Sequence, residues 1–427
     1  MRLPDRIWVP GAAALVLALL FVGALLVRTD GDPSLLVHAG APCTTRRPTP
    51  ALRSCDASIR FVDENGNVTG TGARGSLTVQ RADDAFDGQF FYRLGVSPWS
   101  KSARVAGVQY DLPALRNARW GYGALAWVAS AGDPDLVPWA LIGLNVIAAT
   151  AVGAIGGGLA RSADRHAAWG LLLFLWPGFA YSLSLDTSEL VAGAFLLGAL
   201  LAIRQRRWVG AGILLAAAVL TRDTTAVVPF AAVLAGLASL DDPRPTRDPE
   251  PERPGEPSTA RPGWALVLAG GIPLVLFGSW QLLQRARFGA LPLTSSGDNN
   301  LTAPLGGLVD QLTKVLPPGG GDEAFRLLSI IGLVVLLGTA GALAWRSRRE
   351  RPDTERIAWV LATLVVLVLN AYLWSGATAF MRAATEAGLL SILLVLRWAK
   401  PRLMVLAGVG LGGLWLLTVV AQLSKLG

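Results

Sequence analysis

Eleven apolar runs, set apart by short clusters of arginine and lysine, constrain this chain more than any motif does. They cover residues 8–27, 136–160, 167–185, 190–203, 208–220, 225–240, 264–283, 327–345, 357–374, 388–398 and 403–423. Crossing a bilayer core takes about 20 residues of helix, and backbone amides at that depth must be satisfied within the helix itself. Only 16% of the 427 residues are charged, where soluble domains carry about 25%. The expected fold class is therefore an all-α polytopic membrane protein with about eleven transmembrane helices, the shorter runs being extended by their polar ends.

The net charge of +8 does not point to nucleic acid. The basic residues form no stripe and accompany no reading motif, and they sit between apolar runs where a membrane protein sets its orientation. Arg2 and Arg6 precede the first run, so the N-terminus is expected in the cytoplasm. A cleaved signal peptide is the alternative, but the apolar stretch is longer than a usual h-region and no small-x-small site directly follows, so an uncleaved anchor is expected. Counting crossings from there, the inside loops are 161–165, 204–207, 241–263, 346–356 and 400–402, each with two or more basic residues. The outside loops are 28–135, 186–189, 222–224, 284–326 and 375–387. Three regions result: an anchor at 1–27, an extracytoplasmic loop at 28–135, and a multi-span domain at 136–427. Within the last, the Pro- and charge-rich 241–263 reads as a disordered cytoplasmic linker.

The large loop carries its own local signals. Residues 58–62 and 77–80 have strand character around a Glu64-Asn65-Gly66-Asn67 turn. Cys43 and Cys55 are both in this loop; a disulfide there would stabilise it by about 3 kcal/mol, with two free thiols as the alternative. Residues 118–131 are apolar, yet a crossing there would invert every later loop. They are expected to form an interfacial helix on the outer leaflet, with Trp120, Tyr122 and Trp127 suited to that boundary.

Charged residues beside so much hydrocarbon are costly and more often mark chemistry than packing. In Asp83-Asp84-Ala85-Phe86-Asp87-Gly88-Gln89-Phe90-Phe91-Tyr92, Asp84 and Asp87 would share a helix face. A carboxylate desolvated at an apolar boundary suits a general base, and Phe86, Phe90, Phe91 and Tyr92 suit a sugar ring or lipid tail. The plainer alternative is an acidic turn with Asp83 or Asp84 as N-cap. Asp186 and Glu189 suit a divalent cation or a hydroxyl-rich acceptor, or else form a capping-box pair. Arg222-Asp223 is either a structural ion pair or, through Arg222, a bidentate phosphate contact; Arg116 and Arg119 could act likewise. Arg382 suits an anionic head group or snorkels to the interface. His166 reads as a surface residue. No Ser-His-Asp set, P-loop, GxGxxG before a helix, or HExxH is present, so cytoplasmic nucleotide chemistry has no support.

Taken together, the chain resembles the polytopic GT-C-type membrane glycosyltransferases, in particular their bacterial cell-surface glycopolymer branch. The resemblance is carried by Phe86-Asp87-Gly88-Gln89-Phe90-Phe91-Tyr92 with Pro98, by Asp111-Leu112-Pro113-Ala114 with Arg116 and Arg119, and by Leu136-Val137-Pro138-Trp139-Ala140. Further on it rests on Asp186-Thr187-Ser188-Glu189, Leu220-Thr221-Arg222-Asp223-Thr224 and Arg287-Phe288-Gly289-Ala290-Leu291-Pro292. It spans roughly residues 84–300, and only hydropathy extends it further. The chain departs from the pattern at Phe86, at Asp223 where an Arg-Glu pair is frequent, and around Leu115 and Trp120-Gly121-Tyr122.

What the resemblance implies is a multi-pass protein of the bacterial inner membrane with a GT-C-like helical bundle. It would transfer sugar from a polyprenyl-phosphate donor to an envelope glycan or lipid acceptor on the extracytoplasmic face. Asp87 matches the loop acid that serves as base, with Asp84 its neighbour. Gln89, Tyr92, Arg116, Arg119, Asp186, Glu189, Arg222 and Arg382 complete the expected substrate-binding set. No particular cofactor is specified, and a divalent cation at Asp186 and Glu189 is the candidate. The rival readings are a flippase or transporter of lipid-linked glycans and a non-catalytic envelope assembly protein; acids gathered at one membrane face weigh against a transport path.

Overall fold

The computed structural model describes residues 5–40, 77, 79–80, 86–102, 104–106, 108–110, 112–240, 262–295, 301–349 and 353–425. The expectations for Cys43, Cys55, Asp84, the 64–67 turn and nearly all of the 241–263 linker lie outside these residues. Among the described residues, every apolar run of the sequence is helical. In chain order the helices are α1 (Trp8–Arg28), α2 (Gly88–Val96), α3 (Pro113–Ala118), α4 (Trp120–Ser130), α5 (Val137–Arg161) and α6 (Leu171–Phe174). They continue with α7 (Pro177–Leu185), α8 (Glu189–Arg204), α9 (Trp208–Thr221), α10 (Val227–Leu240), α11 (Pro262–Phe288) and α12 (Gly306–Val315). The last are α13 (Gly321–Arg346), α14 (Thr354–Leu367), α15 (Ala371–Trp374), α16 (Ala377–Ala383), α17 (Thr385–Trp398) and α18 (Pro401–Lys425). Among the described residues, extended pairing consists of two short ladders, Ala39–Gly40 parallel to Val79–Gln80 and Arg104–Val105 antiparallel to Val108–Gln109, and an isolated antiparallel bridge between Leu301 and Leu369.

The chain is a multi-pass membrane protein by length and by surface. Among the described residues, six helical segments are long and apolar enough to cross, among them α1, α5, α13 and α18, and up to eight if each of two bent pairs is one span. The expected count of eleven is finer than these segments show. Helices α8, α9 and α14 have 16, 14 and 14 residues, short of the roughly 20 a straight crossing takes. The outward sides of the long helices carry Ile272, Val275, Val335, Leu406 and Val409, all well exposed, as helices solvated by lipid require.

Close approach comes from small residues. A Cβ at Gly153 of α5 would meet the Pro10 carbonyl oxygen at 2.4 Å, and one at Gly156 would meet that of Gly170 at 2.4 Å. The bent pairs are α6–α7, turning by 57°, and α16–α17, turning by 62°. Pro177 starts α7 at a position where its missing N–H costs nothing. Trp176, buried in the first bend, donates from Nε1 to Thr385 Oγ1 of the second at 3.2 Å. Its ring also fills the space that a Cβ at Gly388 would need. The two breaks are thereby held side by side, with Asp186 and Glu189 after one and Arg382 and Glu386 flanking the other.

The segment expected at the interface is α4. Its Tyr122, Gly123 and Ala126 are buried, and a Cβ at Gly123 would lie 2.2 Å from Leu94 Cβ of α2. Trp127 and Val128 stay exposed on the other side. The helix is thus packed on protein along one face.

Candidate functional site

Asp87 is the N-cap residue of α2, and it reaches its position because Gly88 has no side chain. A Cβ at Gly88 would fall 2.5 Å from the Val37 carbonyl oxygen and 2.6 Å from that of Leu185. The turn is therefore seated against the end of α7. Arg93, one turn into α2 and buried, donates to the Val108 and Ser102 carbonyl oxygens and stacks 3.7 Å from the Tyr110 ring centroid. Those contacts tie α2 to the short ladder that leads into α3.

Three arginines converge on Asp87. Arg116 Nη1 donates to Oδ1 at 2.8 Å, Arg382 Nη2 donates to Oδ2 at 3.0 Å, and Arg119 Nη1 lies 3.8 Å from Oδ2. Arg116 is further held over the Phe90 ring at 4.1 Å and Arg382 over Phe86 at 4.7 Å. Burial alone would raise the Asp87 carboxyl, but the charges of Arg116, Arg382 and Arg119 outweigh it and hold the group well below the usual carboxylate range.

Behind this layer is a deeper one. Arg222 donates to Glu189 Oε1 at 2.5 Å, to Glu386 Oε1 at 2.9 Å, to Thr224 Oγ1 at 2.8 Å and to the Arg382 carbonyl oxygen at 2.7 Å. Arg382 Nε donates to the same Glu189 oxygen at 2.9 Å. Arg119 Nε faces Asp223 Oδ1 at 3.3 Å. Four arginines and four carboxylates thus interleave, and Arg382 joins the layers by touching both Asp87 and Glu189. The outer members keep some access, with side-chain exposure of 22% for Asp87, 18% for Arg116 and 23% for Arg119, against 6% for Arg222 and 1% for Glu189.

The structure brings together Asp87, Arg116, Arg119, Glu189, Arg222 and Arg382, all singled out in the sequence. Others are corrected. Tyr92 and Phe91 belong to the core, Phe91 packing edge-on to Tyr122 at 5.1 Å, so the aromatic run does not form an open sugar platform. Gln89 is buried, with Oε1 unpartnered. The capping-box alternative for Asp186 and Glu189 fails: Asp186 ends α7 in a left-handed conformation, and Glu189 is turned to the arginines. Arg222 pairs with Glu189 and Glu386 at hydrogen-bond distance, while Asp223 faces Arg119. Among the described residues, no group of three or more His, Cys, Asp or Glu side chains is placed to hold a metal. His166 caps a short turn, its Nδ1 accepting from Ala168 N–H at 3.2 Å.

Sequence reading missed Glu386. Its signal was its place four residues after Arg382 at the head of an otherwise apolar stretch. Also missed was an aromatic group beside the arginines: Trp99 and Trp120 have ring centroids 4.8 Å apart, and Trp120 and Trp280 5.6 Å. Trp280 Nε1 donates to the Ala118 carbonyl oxygen at 3.1 Å, docking α11 on the helix that carries Arg116. On the same helix Gln281 and Gln284 are buried with both amide atoms unpartnered, as is Trp120 Nε1. Compared with family models, characterised proteins and solved structures, the chain matches none, and its chemistry is read from these residues.

Proposed function

We propose that this protein is a membrane glycosyltransferase that moves a sugar from a polyprenyl-phosphate donor to a cell-envelope glycan or lipid acceptor. The observation that carries the reading is the partly open clamp of Arg116, Arg119 and Arg382 around Asp87. Guanidinium groups bind phosphate oxygens with the same fork that they offer a carboxylate. A donor phosphate entering from the open side competes with Asp87 for Arg116 and Arg119, the two accessible arginines. Once released, the carboxylate loses the charges that depress its proton affinity and becomes a better base.

In the proposed step, the acceptor hydroxyl gives its proton to Asp87 as its oxygen bonds to the anomeric carbon. The bond from that carbon to the phosphate oxygen breaks, and the departing polyprenyl phosphate takes the electron pair. Arg116 and Arg119 stabilise its charge. Arg222 and Arg382, saturated by Glu189 and Glu386, hold the clamp in place. The Trp99, Trp120 and Trp280 rings with the free amides of Gln281 and Gln284 offer apolar faces and hydrogen-bond partners to a sugar ring. On the orientation expected from the basic clusters, this end of the bundle faces the extracytoplasmic side.

One observation favours a second reading, a protein that binds lipid-linked glycans without transferring them: Asp87 is fully arginine-paired at rest. The test is purified full-length protein in lipid, given a panel of synthetic polyprenyl-phosphate sugars, with glycosylated product and free polyprenyl phosphate followed by mass spectrometry. Asp87→Asn is expected to cut transfer by about 10²–10⁴-fold while donor still binds. Undiminished transfer by that variant removes Asp87 as the base. Saturable donor binding without product from any donor favours the binding protein.

A further inference from the structure

Asp186 stands apart from the arginine lattice. Its side chain has no measurable exposure, and neither Oδ1 nor Oδ2 has a hydrogen-bond partner. None of the four arginines pairs with it, all being engaged by Asp87, Glu189, Asp223 and Glu386. A buried carboxylate with neither a partner nor a counter-charge is among the costliest groups a fold can hold.

A second orphaned acceptor lies beside it. Asn145 of α5, also fully buried, donates from Nδ2 to Tyr122 Oη at 2.8 Å and to the Ser182 carbonyl oxygen at 3.0 Å, which leaves its Oδ1 unpartnered. That same Ser182 carbonyl accepts the backbone N–H of Asp186 at the end of α7, so the Asn145 amide and the Asp186 backbone meet at one atom. The Tyr122 phenol is within electrostatic reach of Asp186. The C-terminal end of a helix adds carbonyls that lack intrahelical partners and carry partial negative charge. What gathers here is a surplus of oxygen acceptors around one ionisable carboxyl.

We propose that this pocket binds a sodium ion, held by the Asp186 carboxylate, Asn145 Oδ1 and carbonyl oxygens at the end of α7. Oxygen ligands select a hard cation. A single carboxylate balances one positive charge, and the neighbouring acid, Glu189, is already neutralised by Arg222 and Arg382. A helix C-terminus at a break in a membrane bundle is a setting in which such ions are coordinated. The ion would fix the junction of α7 and α8. The site does not depend on sugar transfer, and its test does not use that activity.

Full-length protein in detergent, monodisperse by size exclusion, is titrated with ²²Na⁺ against a choline background at constant ionic strength. Saturable binding is expected in the wild type, lost in Asp186→Asn and weakened at least about tenfold in Asn145→Leu. Infrared spectroscopy gives an independent arm: a protonated-carboxyl band absent from Asp186→Asn should vanish as sodium saturates. Absence of saturable binding by monodisperse wild type overturns the site, and so does binding unchanged in Asp186→Asn. Persistence of the protonated band in saturating sodium means that Asp186 is neutralised by a proton, and it overturns the site equally.

Discussion

The two ends of α8 carry opposite charges and are closed to different degrees. At one end Glu189 enters a lattice in which Arg119, Arg222 and Arg382 each face two carboxylates, and almost nothing of Glu189 or Arg222 is exposed. At the other end Arg204 grips Glu355 with both prongs at 2.6 Å and takes the Leu159 carbonyl oxygen and Ser162 Oγ as well. Beside it, Arg397 pairs with Asp353 at the edge, with about a third of the Arg397 side chain open. Both ends suit the helix dipole, acid at the N-terminus and base at the C-terminus. The second end ties helix termini together. The first does more than that, because it sets three arginines on a carboxylate that stays reachable. This difference is what singles out one end as the site.

The contrast can be broken most directly by deleting one charge at each end. Arg222→Ala leaves Glu189 and Glu386 buried with a partner missing, and it is expected to cost about 3–5 kcal/mol in denaturant or thermal unfolding of the purified protein. If it costs no more than a surface change, the lattice is looser than its distances say. Next in size is a matched pair of glycine substitutions. Gly88→Ala drives a Cβ against two backbone oxygens, whereas Gly158→Ala near the other end meets only the tip of Leu201 at 3.0 Å. The first is expected to destabilise by about 1–3 kcal/mol and to disturb Asp87, the second by clearly less.

Acid sharpens the comparison further. The Asp87 carboxyl titrates below its unfolded value near 3.9. Its contribution is therefore fully present above that value and is lost as pH falls through the lower folded one. Melting temperature followed from pH 7 downward should fall more steeply below about pH 4 in wild type than in Asp87→Asn. The smallest effect belongs to the other end: Arg397→Ala, at a part-open pair, should cost under about 1 kcal/mol and less again in high salt.

The hydrophobic runs were readable because lipid demands apolar residues on every side of a span, so composition alone marks them. Whether each run spans alone was not, since α8, α9 and α14 have only 16, 14 and 14 residues. Asp87, Arg222 and Arg382 were legible as charges standing where charge is expensive. Their partners were not, because pairings such as Asp87 with Arg382 depend on how the bent helices are set side by side. Tyr92 misled for a related reason. An aromatic next to a functional aspartate reads as part of its site, yet α2 is short and buried along most of its length, so its aromatics became packing. Asp186 and Glu189 fitted a local rule that a more distant requirement overrode.

Arg382 follows Asp87 by 295 residues. At about 5–20 residues per second of synthesis, the ribosome delivers it roughly 15–60 s after the aspartate. Until then, among the described residues, Arg116 and Arg119 from the same early segment are the guanidiniums at hand to shield that carboxylate as the first helices leave the translocon. The clamp is thus assembled in two instalments, and a chain halted before α16 would reach the bilayer with its acid guarded from one side only.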